Sequence, residues 1–284
     1  MNFLMPLLVL LALAACSPTP PGPPASVAAR RIVTLSPHLA ELVFSAGAGS
    51  QLVGVVAFSD FPPDVAALPR VGDAFRVDYE AVTALEPDLV LAWTSGNPPE
   101  TVQRLRNLGF RVVALEPGKL DDIAAHIQRI GELAGSDTAA AAAASAYRVR
   151  LAALRDGSRA APPLRVFVQL AARPFFTVTD QHFLGQGLRL CGGENVFGRL
   201  PGLTAIVALE SILEARPAVI IASDMGGEGN PPLSVWQSWR DLPAVKSGNL
   251  YLLDADLLSR PSVRILDGIE ELCGYLDRAR TRSP

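Results

Sequence analysis

Apolar positions along this chain fall in short unbroken runs that alternate with stretches of helical spacing, and the alternation occurs twice. In the first half, runs at 31–35, 52–56, 89–92 and 111–115 read as buried strands, the third finishing at Trp93. Between them, Ser36-Pro37 opens a helix through Ala46 that Gly47 stops, Asp78 caps a helix ended by Pro87, and a further helix covers 98–108. The turn-rich Ser59-Asp60-Phe61-Pro62-Pro63 follows the second strand as a loop. The second half repeats the order: strands at 164–170, 219–222 and 250–253, a helix through Leu190 broken by Gly192-Gly193, a helix over 236–242, and a closing amphipathic helix over 261–280. The closest echo is local. Glu80 to Pro87 followed by Leu89-Val90-Leu91-Ala92 matches Glu210 to Pro217 followed by Val219-Ile220-Ile221-Ala222, with seven residues from Glu to Pro in each. Strands alternating with helices predict parallel sheets, and the duplication predicts an α/β protein of two Rossmann-like lobes with a cleft between them.

The halves are joined by GSDTAAAAAASAYRVRLAALRDG, residues 135–157. Ser136 suits an N-cap, Asp137 the positive end of the helix dipole, and Gly157 a residue following a last turn that carries Arg155. The alanine run has top helix propensity, and the rod is roughly 30 Å long. It predicts a rigid connecting helix over 136–157, between an N-terminal lobe over 30–135 and a C-terminal lobe over 158–284. The alternative is an alanine-rich helix packed inside one large domain.

Composition narrows the setting. With 49% apolar residues and a formal charge of −3, the chain has a soluble core and no basic excess, which weighs against nucleic acid as a partner. Residues 3–14 form an apolar run of signal-peptide length, too short to span a bilayer as a helix. The run ends in Leu13-Ala14-Ala15-Cys16, which resembles a bacterial lipobox. That resemblance implies a signal peptide over 1–15, lipidation of Cys16 and a membrane-anchored protein in the periplasm. Pro18, Pro20, Pro21, Pro23 and Pro24 make residues 16–29 a semi-extended tether, so the folded part is expected to begin near Arg30. In an oxidising compartment Cys191 and Cys273, both on helical patterns of the second half, are expected to pair as a disulfide; two buried free thiols are the alternative.

Catalytic signatures are missing: the sequence contains no GxSxG elbow, no GxxxxGK[ST] phosphate loop and no HExxH pair. With three histidines, His38, His126 and His182, a multi-histidine metal site is hard to build. His126 reads as packing or surface, whereas His38 and His182 could face a ligand. Two lobes without catalytic groups are expected to hold something between them, as a binding protein and not an enzyme, with no cofactor and no resident metal.

Several stretches sharpen this expectation. RRIVTLSPHLAELVFSAGAGSQLVGV, the SDFPP loop, LPRVGDAFRVDYEAVTALEPDLVLAW, LCGGENVF and LPAVKSGNLYLLD together resemble the periplasmic cobalamin-binding proteins of vitamin B12 ABC importers, over about residues 30–276. The resemblance implies two α/β lobes bridged by a rigid helix, acting as a monomeric receptor that delivers cobalamin or a related corrinoid to a two-fold-symmetric permease with ATPase subunits. It implies that Glu80 and Glu210 dock to arginines of that permease, and it places Cys191 and Cys273 on the family's disulfide positions. It implies cleft-lining aromatics at Phe58, Phe61, Trp93, Phe175 and Phe176, and polar ligand contacts from Asp256 and Arg260. Ala74 and Thr204 stand where the family places tryptophans, with Phe75 beside the first. A ferric siderophore or haem stays open as an alternative ligand, kept alive by Arg173, Arg199 and Arg260. An enzyme on a nitrogenase-like relative of this fold would need cysteine ligands that a disulfide and a lipidated Cys16 would remove.

Overall fold

The structure is a computed structural model that describes residues 27–157, 162–224 and 233–282. The expected signal peptide, Cys16 and most of the tether lie outside the described residues. The chain is already packed at Ala29, one residue before the expected boundary: Ala29 is buried and its N–H donates to Leu133 O at 2.8 Å.

The first lobe is built on β1 (Ile32–Thr34), β2 (Leu52–Gly54), β3 (Leu89–Trp93) and β4 (Val112–Leu115), a parallel sheet in the order β2-β1-β3-β4. Its helices are α1 (Pro37–Ser45), α2 (Tyr79–Ala84), α3 (Pro99–Asn107) and α4 (Leu120–Ala134). Asp78 caps α2 as expected, accepting from the N–H groups of Glu80 and Ala81 at 3.0 Å. Ser36 stands at the N-cap of α1, yet its hydroxyl meets His38 Nδ1 at 2.7 Å instead of a helix N–H.

The second lobe carries β5 (Leu164–Gln169), β8 (Gly193–Asn195), β10 (Val219–Asp224) and β11 (Leu250–Asp254), parallel in the order β11-β10-β5-β8. Numbered within its own lobe and read from β8, this is again 2-1-3-4, so the duplication legible in the sequence is a duplication of topology. Two features were not expected. A small antiparallel sheet of β6 (Ala171–Ala172), β7 (Phe175–Val178) and β9 (Thr204–Val207) interrupts the repeat where the sequence suggested helix. The helix expected over 236–242 is a 3-10 turn at Ser234–Ser238 followed by the short α8 (Pro243–Lys246), and a short α9 (Ala255–Ser259) precedes α10 (Ile265–Arg282). The remaining helices are α6 (Phe183–Leu190) and α7 (Leu209–Ala215). Cys191, after α6, and Cys273, on α10, form a disulfide with Cα atoms 4.7 Å apart, closing a separation of 82 residues.

Between the lobes runs α5 (Asp137–Gly157), a helix of 21 residues. It does not stand free as a strut. Gly135, in the left-handed conformation at φ 70°, turns the chain back so that α5 packs along α4. Ala140, Ala144, Tyr147 and Leu151 form its buried stripe, at the three- and four-residue spacing of one helix face. Gly131 of α4 allows the close approach: a Cβ there would lie 2.3 Å from that of Ala140. Tyr147 Oη donates to Leu120 O at 2.9 Å, and Ser136, expected as the N-cap, donates its hydroxyl to Ala46 O at 2.7 Å and so ties the turn to α1. On the other side Arg150 reaches Asp267 and Glu270 of α10 at 2.5 and 2.6 Å. A single apolar cluster therefore runs from α1 through α4 and α5 to α6 and α10, covering one face of each sheet, while separate clusters cover the outer faces. The alanine-rich stretch thus links the two lobes while lending its buried stripe to the cluster that runs between them.

Candidate ligand-binding cleft

In parallel α/β sheets the loops at the carboxyl ends of the strands form the binding face, at the point where strand order reverses. In the first lobe that point lies between β1 and β3. His38 follows β1 and Trp93 ends β3, and their rings meet edge to face with centroids 5.1 Å apart. The two carboxyl ends face each other across the lobes: Arg260, after α9 in the second lobe, donates to Phe58 O, after β2 in the first, at 3.0 Å. On the α5 side, a hollow of about 550 Å³ is lined by Gly118 and Lys119 of the first lobe, Arg155 of α5, and Asp180 and Arg189 of the second. Gln186 of α6 bridges the lobes at its edge, donating to Gly118 O at 2.9 Å and accepting from Leu120 N at 3.2 Å.

The expected aromatics divide. Phe58 is 80% and Phe75 72% exposed, and Phe61 is more exposed than buried side chains of its size elsewhere in the lobe. Phe58 sits at φ 64°, a conformation uncommon for a bulky residue, which turns its ring outward. Asp73 shapes the turn that displays Phe75 by accepting from the N–H groups of Phe75 and Arg76 at 2.7 and 2.8 Å. Trp93 is half-buried, and its Nε1, like Ser59 Oγ, has no hydrogen-bond partner, so this end of the sheet keeps unused hydrogen-bonding capacity. Phe175, expected at the cleft, is half-buried. Successive strand residues point to opposite faces, and Phe175 packs inward on Trp236 and Phe167, at centroid distances of 5.3 and 6.5 Å. Phe176 takes the other face, where it is paired across the strands with Ile206, 66% exposed. Leu203 and Ile206, on either side of Thr204-Ala205, are exposed apolar residues that the sequence reading did not single out.

The polar pair is more constrained than expected. Asp256 is half-buried and bonds Arg260 at 2.8 Å. Arg260 is buried, and besides Asp256 and Phe58 O it meets Asp60 and the buried Glu41 of α1. Its guanidinium is thus held by several partners within the protein. Burial pushes the Glu41 carboxyl up from the usual range, against the pull of Ser262, Arg264 and Arg260. The hydrogen bond from Arg260 holds Asp60 below it. Asp256 is pushed up by burial.

His38 and His182 each engage their Nδ1 inside the fold. His38 is buried, and burial, with the nearby His126 and Arg260, lowers its pKa to about 3. His182 is the N-cap of α6, its Nδ1 accepting from Leu184 N at 3.1 Å, and burial lowers its pKa to about 4. Glu80 and Glu210 are both exposed in the first turns of α2 and α7. Each helix runs into a parallel strand, β3 or β10, so both first turns lie at the carboxyl ends of their sheets, on the same side as the cleft. Among the described residues no group of three or more His, Cys, Asp or Glu is placed to hold a metal, and no helix is long and apolar enough to cross a membrane.

Two duplicated parallel α/β lobes on a packed helical backbone, with the carboxyl ends of their sheets meeting between them, make the architecture of a two-lobed binding protein. The chain belongs to the periplasmic binding protein family, whose model matches residues 32–257. Among its relatives, the Vitamin B12-binding protein of Vibrio cholerae serotype O1 is 35% identical over 254 residues, covering 89% of this chain and 91% of the relative. That of Vibrio campbellii is 30% identical over 261 residues, 91% of this chain and 93% of the relative. The crystal structure of the periplasmic vitamin B12 binding protein BtuF of Vibrio cholerae superimposes with a TM-score of 0.81 at 35% identity, over 89% of this chain and 98% of that one. The periplasmic heme-binding protein RhuT from Roseiflexus sp. RS-1 shares the fold, with a TM-score of 0.79 at 23% identity over 88% of this chain and 98% of that one.

The two histidines set a pH dependence. Both pKa values are depressed in the folded state, so between pH 6.5 and about 4 the unfolded chain binds protons that the folded chain does not. Stability is therefore present above pH 6.5 and is lost as pH falls, with a slope of up to about 1.4 kcal/mol per pH unit for each histidine. His182→Asn keeps an N-capping side chain. Urea unfolding of this variant should match wild type at pH 7.5 and lose less stability by pH 5.

Proposed function

We propose that the protein captures cobalamin or a closely related corrinoid between its lobes and hands it to the permease of an ABC importer. The observation that carries this reading is the set of exposed rings at the meeting of the two carboxyl ends. Phe58, Phe61 and Phe75 of the first lobe, with the exposed Ile206 beside the half-buried Phe176 of the second, offer apolar area suited to a broad, flat, largely uncharged ring system bearing amide arms. Likeness to the vitamin B12-binding proteins, at 35% identity along nearly the whole chain, supports the same ligand class. Haem is favoured less: an axial imidazole is one way to hold its iron, and His38 is buried against Trp93 while His182 caps α6.

The lobe topology supports a docking role for Glu80 and Glu210. They occupy equivalent positions of a duplicated unit, so a partner with two-fold symmetry meets the same acidic first turn twice. Delivery is the function of this face, and ATP hydrolysis belongs to other subunits. Lipidation at Cys16 would keep the monomeric receptor at the membrane surface through the proline-rich tether.

Titration of the purified protein with cyanocobalamin, haem and a ferric siderophore, followed by absorbance and calorimetry, tests the ligand. Saturable one-to-one binding of cyanocobalamin alone is expected; haem or siderophore binding in its place would refute the assignment. The double charge reversal Glu80→Lys with Glu210→Lys should leave cyanocobalamin affinity within about twofold and abolish uptake in cells that depend on this receptor. Uptake at the wild-type rate would remove the docking role.

A further inference from the structure

We infer that Glu41 is a positioning residue for the cleft: from inside the first lobe it fixes, through Arg260 and Arg264 of the second, the loop that displays Phe58 and Phe61. Glu41 lies on α1 with its side chain 3% exposed, in a helix whose other residues from His38 to Val43 are also buried. Both carboxylate oxygens are taken by one short segment of the other lobe. Oε1 accepts from Arg260 Nη1 at 3.3 Å, and Oε2 accepts from Ser262 Oγ at 2.6 Å and from Arg264 Nε at 3.2 Å. The same two arginines continue to the loop after β2. Arg260 meets Asp60 and Phe58 O, and the Arg264 guanidinium lies over the Phe61 ring, 4.1 Å from its centroid.

The arrangement answers a question the loop poses. A phenylalanine at positive φ is held only where its surroundings over-determine it, and the Phe58 ring, 80% exposed, has little packing to do this. The hold falls on its carbonyl, which Arg260 engages. Arg260 in turn needs a fixed counter-charge, because Asp60, with its side chain 59% exposed, and the half-buried Asp256 both retain freedom that Glu41 lacks. A buried ion pair is no better for stability than a well-packed leucine. An acidic residue on the buried face of α1 is therefore better explained by the geometry it imposes than by any stability it adds.

The test is a mutant cycle in the full-length protein with Glu41→Gln, which keeps the side chain's shape, Asp60→Asn, and the pair. Hydrogen exchange over residues 57–62 reads the loop independently of any ligand. The affinity readout alone rests on the corrinoid reading, so a wild-type protein that binds no cyanocobalamin would refute that reading and leave the exchange result to decide this one. Glu41→Gln should speed exchange over 57–62 roughly tenfold, leave that of β10 and β11 unchanged, and weaken cyanocobalamin binding by about tenfold. Because both carboxylates act through Arg260, the double variant should be within about twofold of the worse single one. Losses that simply multiply, or Glu41→Gln exchange within about twofold of wild type, would overturn the proposal. If Glu41→Gln folds poorly, Ser262→Ala loosens Glu41 from one side only; faster exchange over 57–62 is then expected, and no change would overturn the proposal.

Discussion

The contact on which the rest of the molecule depends is the seam between α4 and α5. Four buried side chains at helical spacing, Ala140, Ala144, Tyr147 and Leu151, press α5 along α4, and the absence of a side chain at Gly131 brings the backbones close. Small residues at such a seam allow a near approach but leave little room for sliding, because interiors are packed like crystals and shift between discrete arrangements. The apolar cluster around this seam reaches both sheets, so the lobes share a core and do not hang from a strut. Everything at the cleft follows from that: the two carboxyl ends are presented to each other at a set angle, and the loops alone remain to shape what lies between.

A second tie works at the opposite character of interaction. Where the helical seam is apolar, the junction between α1 and the segment following α9 is ionic, with Glu41, Asp60 and Asp256 around Arg260 and Arg264. Apolar packing has no direction, whereas guanidinium forks and carboxylates meet only in particular geometries. The seam thus sets how far apart the lobes stand, and the ionic knot sets where the loop after β2 points. A receptor built this way recognises a large guest by preformed shape, which lowers the ordering cost of binding.

Much of the fold was legible because it is repeated. The matching Glu-to-Pro spans before β3 and β10 marked the duplication, and the capping chemistry of Asp78 was local enough to read directly. What escaped reading depended on distant partners. Residues 171–178 carry no helix or strand period long enough to identify, and only pairing with β9, some thirty residues on, makes them a sheet. The alanines of α5 look like a free rod because alanine has high helix propensity anywhere; that Ala140 and Ala144 are buried depends on packing along another helix, where Gly131 makes room for Ala140. At the candidate cleft the rings of Phe58 and Phe75 are exposed, while Phe175 packs on Trp236 from a strand that was not foreseen. Glu41 was hidden for the same reason as the seam: a carboxylate inside SPHLAELVF is conspicuous, but its partners lie more than two hundred residues away.

The central claim is that the lobes keep one mutual orientation because they share a core. Pulsed electron-spin distances between a label on α3 and a label on α7, one on the outer face of each lobe, test it most directly. With and without saturating cyanocobalamin, the account predicts a single narrow distribution that shifts by no more than about 2 Å. A broad distribution in the free protein, or a closure of about 10 Å on binding, would contradict it by showing hinged domains.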